Sequence, residues 1–314
     1  MNSKTILLSG ATGFLGSHIA EGLSTHNYKV IALIRNSSDL WRCKEFKNEN
    51  LVFVNIDTKD FKEIIAKHNP SVFIHTAWNG VAAKGRNDWN IQIENILFTA
   101  QMITLANELG IKKIISFGSQ AEYGNFNGRI NEAANCNPII PYGAAKLAAL
   151  TIFKSFCESN AINWFWFRLF SLYGAREDKN WLIPSVIENA FYNKPMHLTG
   201  CEQRYDYIYS KDFTNAIVKV IETESESGIF NLTSNSSMQL KEIIEKVKNL
   251  VNPNAVFNFG ALPYRPNQVM HMEGDSTKFN KQFNFEVKSD FETNIKEVLD
   301  YYLNKLKKEK IVNY

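Results

Sequence analysis

Thiols are scarce and scattered. The four cysteines, Cys43, Cys136, Cys157 and Cys201, form no C-x-x-C pair and match no zinc-ligand spacing, so free thiols in a reducing cytoplasm are expected. Long apolar runs are also missing. The N-terminal "MNSKTILLSG" carries one lysine and a short run that stops at glycine. That is too short for the apolar region of a signal peptide and has no cleavage site. No stretch approaches the length of a transmembrane helix. A soluble cytoplasmic protein without a membrane partner is therefore expected. A concentrated basic patch is absent as well: the net charge is +3 and its positive residues are spread out, which does not fit nucleic-acid binding. The six histidines do not cluster, and no metal is expected. There is no internal repeat and no low-complexity linker.

What is present is material for a core, since 45% of the 314 residues are hydrophobic, enough for one large domain or two modest ones. Short apolar runs recur: "KTILLSG" (4–10), "YKVIALIR" (28–35), "NLVFVNID" (50–57), "PSVFIHTA" (70–77), "KKIISFGS" (112–119) and "NWFWFRLF" (163–170). Each reads as a buried strand. Helical patterns fall between them, at 14–23, over "DFKEIIAKH", at 91–109 with Gly110 as C-cap, and over "AAKLAALTIFKSFCES". Such alternation predicts an α/β fold with a parallel sheet covered on both faces, doubly wound through right-handed crossovers. After Gly174 the pattern is irregular. "WLIPSVIENAFYN", "LKEIIEKVKNLV" and "FETNIKEVLDYYLNKLKKEK" read as helices, "YDYIYSKDFTNAIVKVIE" as a strand-like start and a helix, and "GIFNLTS" as a short strand. The basic end of the last helix reads as solvated.

Directly after the first strand stands "GATGFLG", residues 10–16: Gly10, Thr12, Gly13, Phe14, Leu15 and Gly16 open a helix. Glycines there allow a tight turn and close backbone approach to a pyrophosphate. The helix N-terminus offers free N–H donors and positive potential. The end of the second strand chooses between NAD and NADP, because an acid would take the ribose 2′-hydroxyl and an arginine a 2′-phosphate. Here it reads "ALIRNSS", with Arg35 followed by Ser37 and Ser38, and Asp39 comes only four residues after Arg35. NADP(H) is therefore expected over NAD(H).

"YGAAK" places Tyr142 and Lys146 four residues apart at a helix start, so both head groups reach one site. A free tyrosine has a pKa of about 10, and a nearby ammonium lowers it. Ser119 ends the fifth strand, at the edge where such sheets bind ligands, and its hydroxyl can hold a carbonyl or alkoxide oxygen. Ser119, Tyr142 and Lys146 together make a proton-handling trio beside a nicotinamide.

The chain resembles the extended short-chain dehydrogenase/reductases of the nucleotide-sugar epimerase/dehydratase type over essentially its whole length. "SGATGFLGSH", "HTA" (75–77), "SQAEYG", "YGAAK", "RLFSLYG" (168–174) and "YDYIYSKDF" (205–213) match family segments in order. The resemblance implies Ser119, Tyr142 and Lys146 as the catalytic trio, Asp57 near the adenine, and Ala77 and Asn95 along the cofactor or site wall. Family 4,6-dehydratases carry an Asp-Glu pair after the catalytic Thr or Ser, and here those places hold Gln120 and Ala121. Alanine is neither acid nor base, which argues against dehydration. Glu122 lies one place further on, and in a strand its side chain would face away, as a structural or rim carboxylate. His75 is expected to pack structurally. Trp78 and the loop "WNGVAAKGRND" lie where a sugar pocket would form.

Epimerisation and 4-keto reduction remain. Arg35 favours reduction. So does Tyr205, an aromatic where many epimerases have the arginine of "RDFVYVDD", although Arg204 stands beside it. Arg265 in "LPYRPNQVMHMEGD", and less strongly Arg204, are the diphosphate-binding candidates by resemblance. The pattern is most like NADPH-dependent 4-keto reductases of the dTDP-4-dehydro-6-deoxyglucose reductase kind. Their expected substrate is a nucleotide diphosphate-sugar, their product a deoxysugar nucleotide for surface polysaccharide such as O antigen, and their assembly a homodimer. The alternatives are a 4-epimerase with bound NAD, a reductase of small carbonyl compounds, and a non-catalytic NADP-sensing regulator. Residues 1–175 are expected to form the NADP-binding Rossmann domain, with segments near 203–225 and 271–280 returning to it. Residues 176–314 would form the nucleotide-sugar-binding domain.

Overall fold

The computed structural model describes residues 4–46, 49–266, 268–287 and 290–312. Seven strands form one parallel sheet. Across it the order is Gly228–Leu232, Asn163–Leu169, Lys113–Ser119, Val72–His75, Thr5–Ser9, Lys29–Ile34 and Leu51–Asn55. The chain winds one way from Thr5–Ser9 and the other way from Val72–His75, so the crevice between these two strands is the switch point of the sheet.

The apolar runs of the inner strands are buried on both faces, while the edge strand Leu51–Asn55 is only partly covered. Ile6 and Leu8 point into one core and Leu7 into the other, as a period of two requires. "NWFWFRL" divides the same way: Phe165 and Phe167 join one core, Trp164 and Trp166 the other. Each such ring contributes about 1.5–3 kcal/mol by leaving water. Arg168 continues the tryptophan face, which drives a guanidinium into the buried end of the sheet.

The short strand predicted in "GIFNLTS" is the seventh strand of this sheet, paired in parallel with Asn163–Leu169. Helix Thr277–Phe283 covers it, setting Phe279 and Phe283 against Phe167 and Phe230. Helix Ser210–Glu222 packs on helix Phe14–Thr25, where a Cβ on Gly22 would stand 2.2 Å from Thr214 Cγ2. The strands just before these two helices belong elsewhere. Arg204–Tyr209 and His271–Gly274 pair with each other in a smaller sheet, which also takes in Gly128–Ile130, Ser171–Tyr173 and Ser237–Gln239. Helices Leu182–Phe191, Leu240–Val251 and Phe291–Val312 build a further core against it. Among the described residues, no helix is long and apolar enough to cross a membrane.

Candidate active site

The switch-point crevice opens into two adjoining chambers of about 570 and 600 Å³. Gly10, Gly13, Thr76 and Trp78 line both. The turn between them is as tight as its sequence demands. Gly10 has φ +77°, and a Cβ there would lie 2.5 Å from Thr76 Oγ1. A Cβ on Gly16 would lie 2.1 Å from Gly10 O. Gly13 caps helix Phe14–Thr25 with no side-chain hydrogen bond, and the first turn holds no acid. The terminal N–H groups are thus left open to an anion. These features fit the diphosphate of a dinucleotide.

The first chamber takes in Thr12, Arg35, Ser37, Ser38, Ala77 and Asn95. Arg35 stacks its guanidinium 4.5 Å from the Phe98 ring centroid, and its backbone N–H donates to Ser38 Oγ. Asp39 lines the same chamber, a placement its position past the strand end did not announce. Asp57 does not line it. Its Oδ2 accepts from Asn36 N at 2.8 Å, so it braces the loop that carries Arg35. Neighbouring Ile56 faces the chamber instead.

The second chamber takes in Phe14, Leu15, Gly16, Ser119, Gln120, Tyr142 and Lys146, with Arg265 at its rim. Ser119 ends its strand and Tyr142 stands in the first turn of helix Pro141–Ser159, and both line this chamber. Burial pushes the Tyr142 phenol up; Arg86 and the Ser119 hydroxyl pull it down, and Glu122 pushes it up again. Lys146 does not stand against the phenol as its spacing predicted. Its Nζ donates to Phe117 O at 2.7 Å, lies 3.5 Å from the Trp78 ring and is 6.0 Å from the Tyr142 ring. The nearer cation is Arg86, 4.1 Å from that ring. Burial draws the Lys146 ammonium down to about 7, with Glu122 opposing and Arg86 reinforcing.

Glu122 is not strand but the end of a 3-10 turn, Gln120–Glu122, and its side chain folds back. It accepts from Ser119 N at 2.9 Å and Trp166 Nε1 at 3.1 Å, and pairs with Arg168 Nε at 2.7 Å. Both partners of this ion pair are buried. Arg168 also lies over the Tyr123 ring and donates to Cys136 Sγ. Burial alone would lower the Arg168 guanidinium, but the Glu122 charge holds it above its ordinary value. Glu122 is thus fully used in holding the turn.

His75 is buried, bonded to Ser9 and Thr99, and burial depresses it to about 3. It is a neutral packing group. Trp78 is held by Gln92, its Nε1 donating to Oε1 at 2.9 Å, and meets Tyr142 edge-on. Tyr205 lines the chamber, but Arg204 does not: it is exposed, and its Nη2 donates to Ser237 O. Two charged residues lining this chamber were not singled out by the sequence, Glu177 and Arg86. Burial, with Asp178 nearby, raises the Glu177 carboxyl to about 8. No group of three His, Cys, Asp or Glu among the described residues is gathered to hold a metal ion.

Residues 6–233 match the NAD dependent epimerase/dehydratase family. The chain belongs to this family. Among its relatives is CDP-abequose synthase of Salmonella muenchen, 25% identical over 95% of this chain and 97% of that protein. Another is dTDP-4-dehydro-6-deoxyglucose reductase of Escherichia coli, 25% identical over 81% of this chain and 84% of that one. The epimerase/dehydratase architecture recurs in the solved UDP-N-acetylglucosamine 4-epimerase from Methanobrevibacter ruminantium M1. Its TM-score is 0.87 at 24% identity, covering 97% of this chain and 100% of that one. The family is one of NAD-dependent epimerases and dehydratases, and the relatives just named are enzymes of nucleotide-sugars.

Proposed function

We propose that this enzyme uses NADPH to reduce the 4-keto group of a nucleotide-linked 4-keto-6-deoxyhexose, with dTDP-4-dehydro-6-deoxyglucose as the preferred candidate. The product is a deoxysugar nucleotide for surface polysaccharide. The cofactor, when bound, supplies the hydride that goes to C4. Tyr142 donates its phenolic proton to the developing alkoxide, and Ser119 holds that oxygen. Lys146 exchanges its bond with Phe117 O for the nicotinamide ribose. Trp78 and Gln120 contact the sugar, and Arg265 meets the diphosphate. Residues 1–175, with the returning elements, carry the cofactor, and 176–314 carry most of the substrate contacts.

One observation carries the reductive reading: Arg35, Ser37 and Ser38 together face the first chamber, an arrangement suited to a 2′-phosphate. Dehydration is disfavoured because Gln120 and Ala121 replace its acids and Glu122 is held by Arg168. The likeness to CDP-abequose synthase and to dTDP-4-dehydro-6-deoxyglucose reductase supports the substrate class. Asp39 in the same chamber favours a second reading, a 4-epimerase that retains NAD and returns the hydride to the same sugar. The enzyme is read as cytoplasmic and homodimeric. Support for a dimer comes from Trp89, Ile93 and Leu97, exposed at every fourth position of helix Trp89–Glu108.

The test is NADPH consumption, followed by absorbance, with dTDP-, GDP- and CDP-4-keto-6-deoxyhexoses in parallel. Oxidation with one of them supports the reductase. No oxidation with any, together with NAD retained through gel filtration, would replace it by the epimerase.

A further inference from the structure

The segment after the fourth strand, "WNGVAAKGRND", is built rather than loose. Gly80 has φ +69°, and a Cβ on Gly85 would fall 2.4 Å from Gly80 Cα, so two glycines let the loop fold onto itself. Gln92, fully buried on the following helix, locks that fold. Its Nε2 donates to Gly80 O at 3.1 Å and Gly85 O at 2.8 Å, while its Oε1 accepts from Trp78. Asn95 pins Asn79 by two hydrogen bonds, and Asp88 caps the helix through Asn90 N and Ile91 N. This scaffold presents Arg86, whose guanidinium lies 4.1 Å from the Tyr142 ring centroid in the wall of the second chamber. Among the described residues, no ion pair joins Arg86 to a carboxylate.

We propose that Arg86 is a positioning residue that sets the acidity of Tyr142: held over the phenol, it stabilises the tyrosinate left when the proton moves to substrate. The proposal rests on the reading of Tyr142 as proton donor. Each element packed around the phenol contributes one charged or titratable group. The fifth strand brings the Ser119 hydroxyl, which favours ionisation, and the turn after it brings Glu122, whose negative charge opposes ionisation. Arg168 neutralises much of that charge. The tyrosine's own helix brings Lys146, whose ammonium is engaged by Phe117 O. Arg86 is left as the cation nearest the ring. A guanidinium keeps its charge at every working pH, whereas an ammonium drawn down to about 7 loses its own near neutrality.

The experiment is a pH titration of the full chain labelled with 13C at the tyrosine Cζ, with Tyr142→Phe used to assign the Tyr142 resonance. Arg86→Gln is expected to raise the Tyr142 midpoint by about one pH unit or more, a tenfold change in acid constant. Arg86→Lys, which keeps the charge, is expected to restore at least half of that shift. Equal midpoints in wild type and Arg86→Gln would overturn the proposal. So would a Lys variant displaced as far as the Gln variant, or a Tyr142 that stays un-ionised to about pH 11 in all three proteins. The reading beneath it fails separately: Tyr142→Phe that consumes NADPH at the wild-type rate with a 4-keto sugar removes the proton-donor role, whatever the titration shows.

Discussion

Replacing Glu122 by glutamine separates a structural carboxylate from a catalytic one. The wild-type side chain takes two N–H donors on Oε1, from Ser119 and Trp166, and one from Arg168 on Oε2. Glutamine can keep the first two. It then turns an NH2 group against the Arg168 Nε–H and removes the counter-charge of a guanidinium that is 3% exposed. Deleting one partner of a buried pair costs about 3–5 kcal/mol, a large part of the roughly 5–15 kcal/mol that holds a typical protein folded. With a urea m-value of about 2–3 kcal/mol/M, the unfolding midpoint should fall by about 1–2.5 M. Arg168→Met should cost a similar amount, and the double variant should recover much of the loss because it leaves no unpaired charge. Turnover of the Glu122→Gln protein that remains folded should stay within about tenfold of wild type, since the carboxylate reaches no reacting atom. An unchanged midpoint together with a turnover loss of about a thousandfold would refute this reasoning and give Glu122 a chemical role.

Three further outcomes are expected. Arg35→Ala should weaken NADPH use by about 10–100-fold and leave NADH use nearly unchanged, because charge-assisted bonds to a phosphate are lost; equal losses with both cofactors would contradict it. Glu177 lies above its unfolded pKa at about 8, so the folded state holds the extra proton, and stability present at low pH is lost as pH rises from about 4.3 towards 8. Glu177→Gln removes that slope: its thermal midpoint should match wild type near pH 4 and exceed it increasingly up to pH 9, by up to about 2–4 kcal/mol in stability, and parallel curves would count against it. Leu97→Asp places a charge in the exposed stripe with Trp89 and Ile93, so light scattering should find monomers where wild type is dimeric; an unchanged mass rejects that face.

The N-terminal sheet was legible because its inner strands are buried on both faces and therefore read as continuous apolar runs; the edge strand Leu51–Asn55 is only partly buried but keeps the same composition. The seventh strand has the same signature. Its place in the sheet did not follow from the sequence, because a strand of the smaller sheet, Arg204–Tyr209, interrupts the alternation before it. Three-residue strands such as Ser171–Tyr173 are too short to show a period. The site was readable where backbone geometry demands a residue type, as at Gly10 and Gly16, and where i, i+4 spacing sets Tyr142 and Lys146 on the wall of one chamber, although the ammonium turns to Phe117 O rather than to the phenol. Errors arose where one residue changes the direction of a side chain. Tyr205 and Tyr207 face the chamber, so Arg204, one place out of phase, points away from it, and at the start of its strand it is exposed. Glu122 could have been placed from the capping-box pattern S-x-x-E in "SQAE", which turns the carboxylate back onto the Ser119 N–H. Arg86 ends a one-turn helix, Ala83–Arg86, too short to show a period, and its direction depends on the fold of two glycines around Gln92.

The central claim is net hydride transfer to C4 with Tyr142 as proton donor. It is tested most directly by incubating wild type and Tyr142→Phe with NADPH deuterated at the transferring position of the nicotinamide C4 and dTDP-4-dehydro-6-deoxyglucose, and following the product by NMR. Wild type should place one deuterium at C4 of the sugar for each NADPH consumed, and Tyr142→Phe should do so at no more than about 1% of that rate. Deuterium at C4 at an undiminished rate in Tyr142→Phe would contradict it. So would a wild-type enzyme that consumes no NADPH with this sugar or its GDP and CDP counterparts, yet interconverts C4 epimers of a nucleotide hexose.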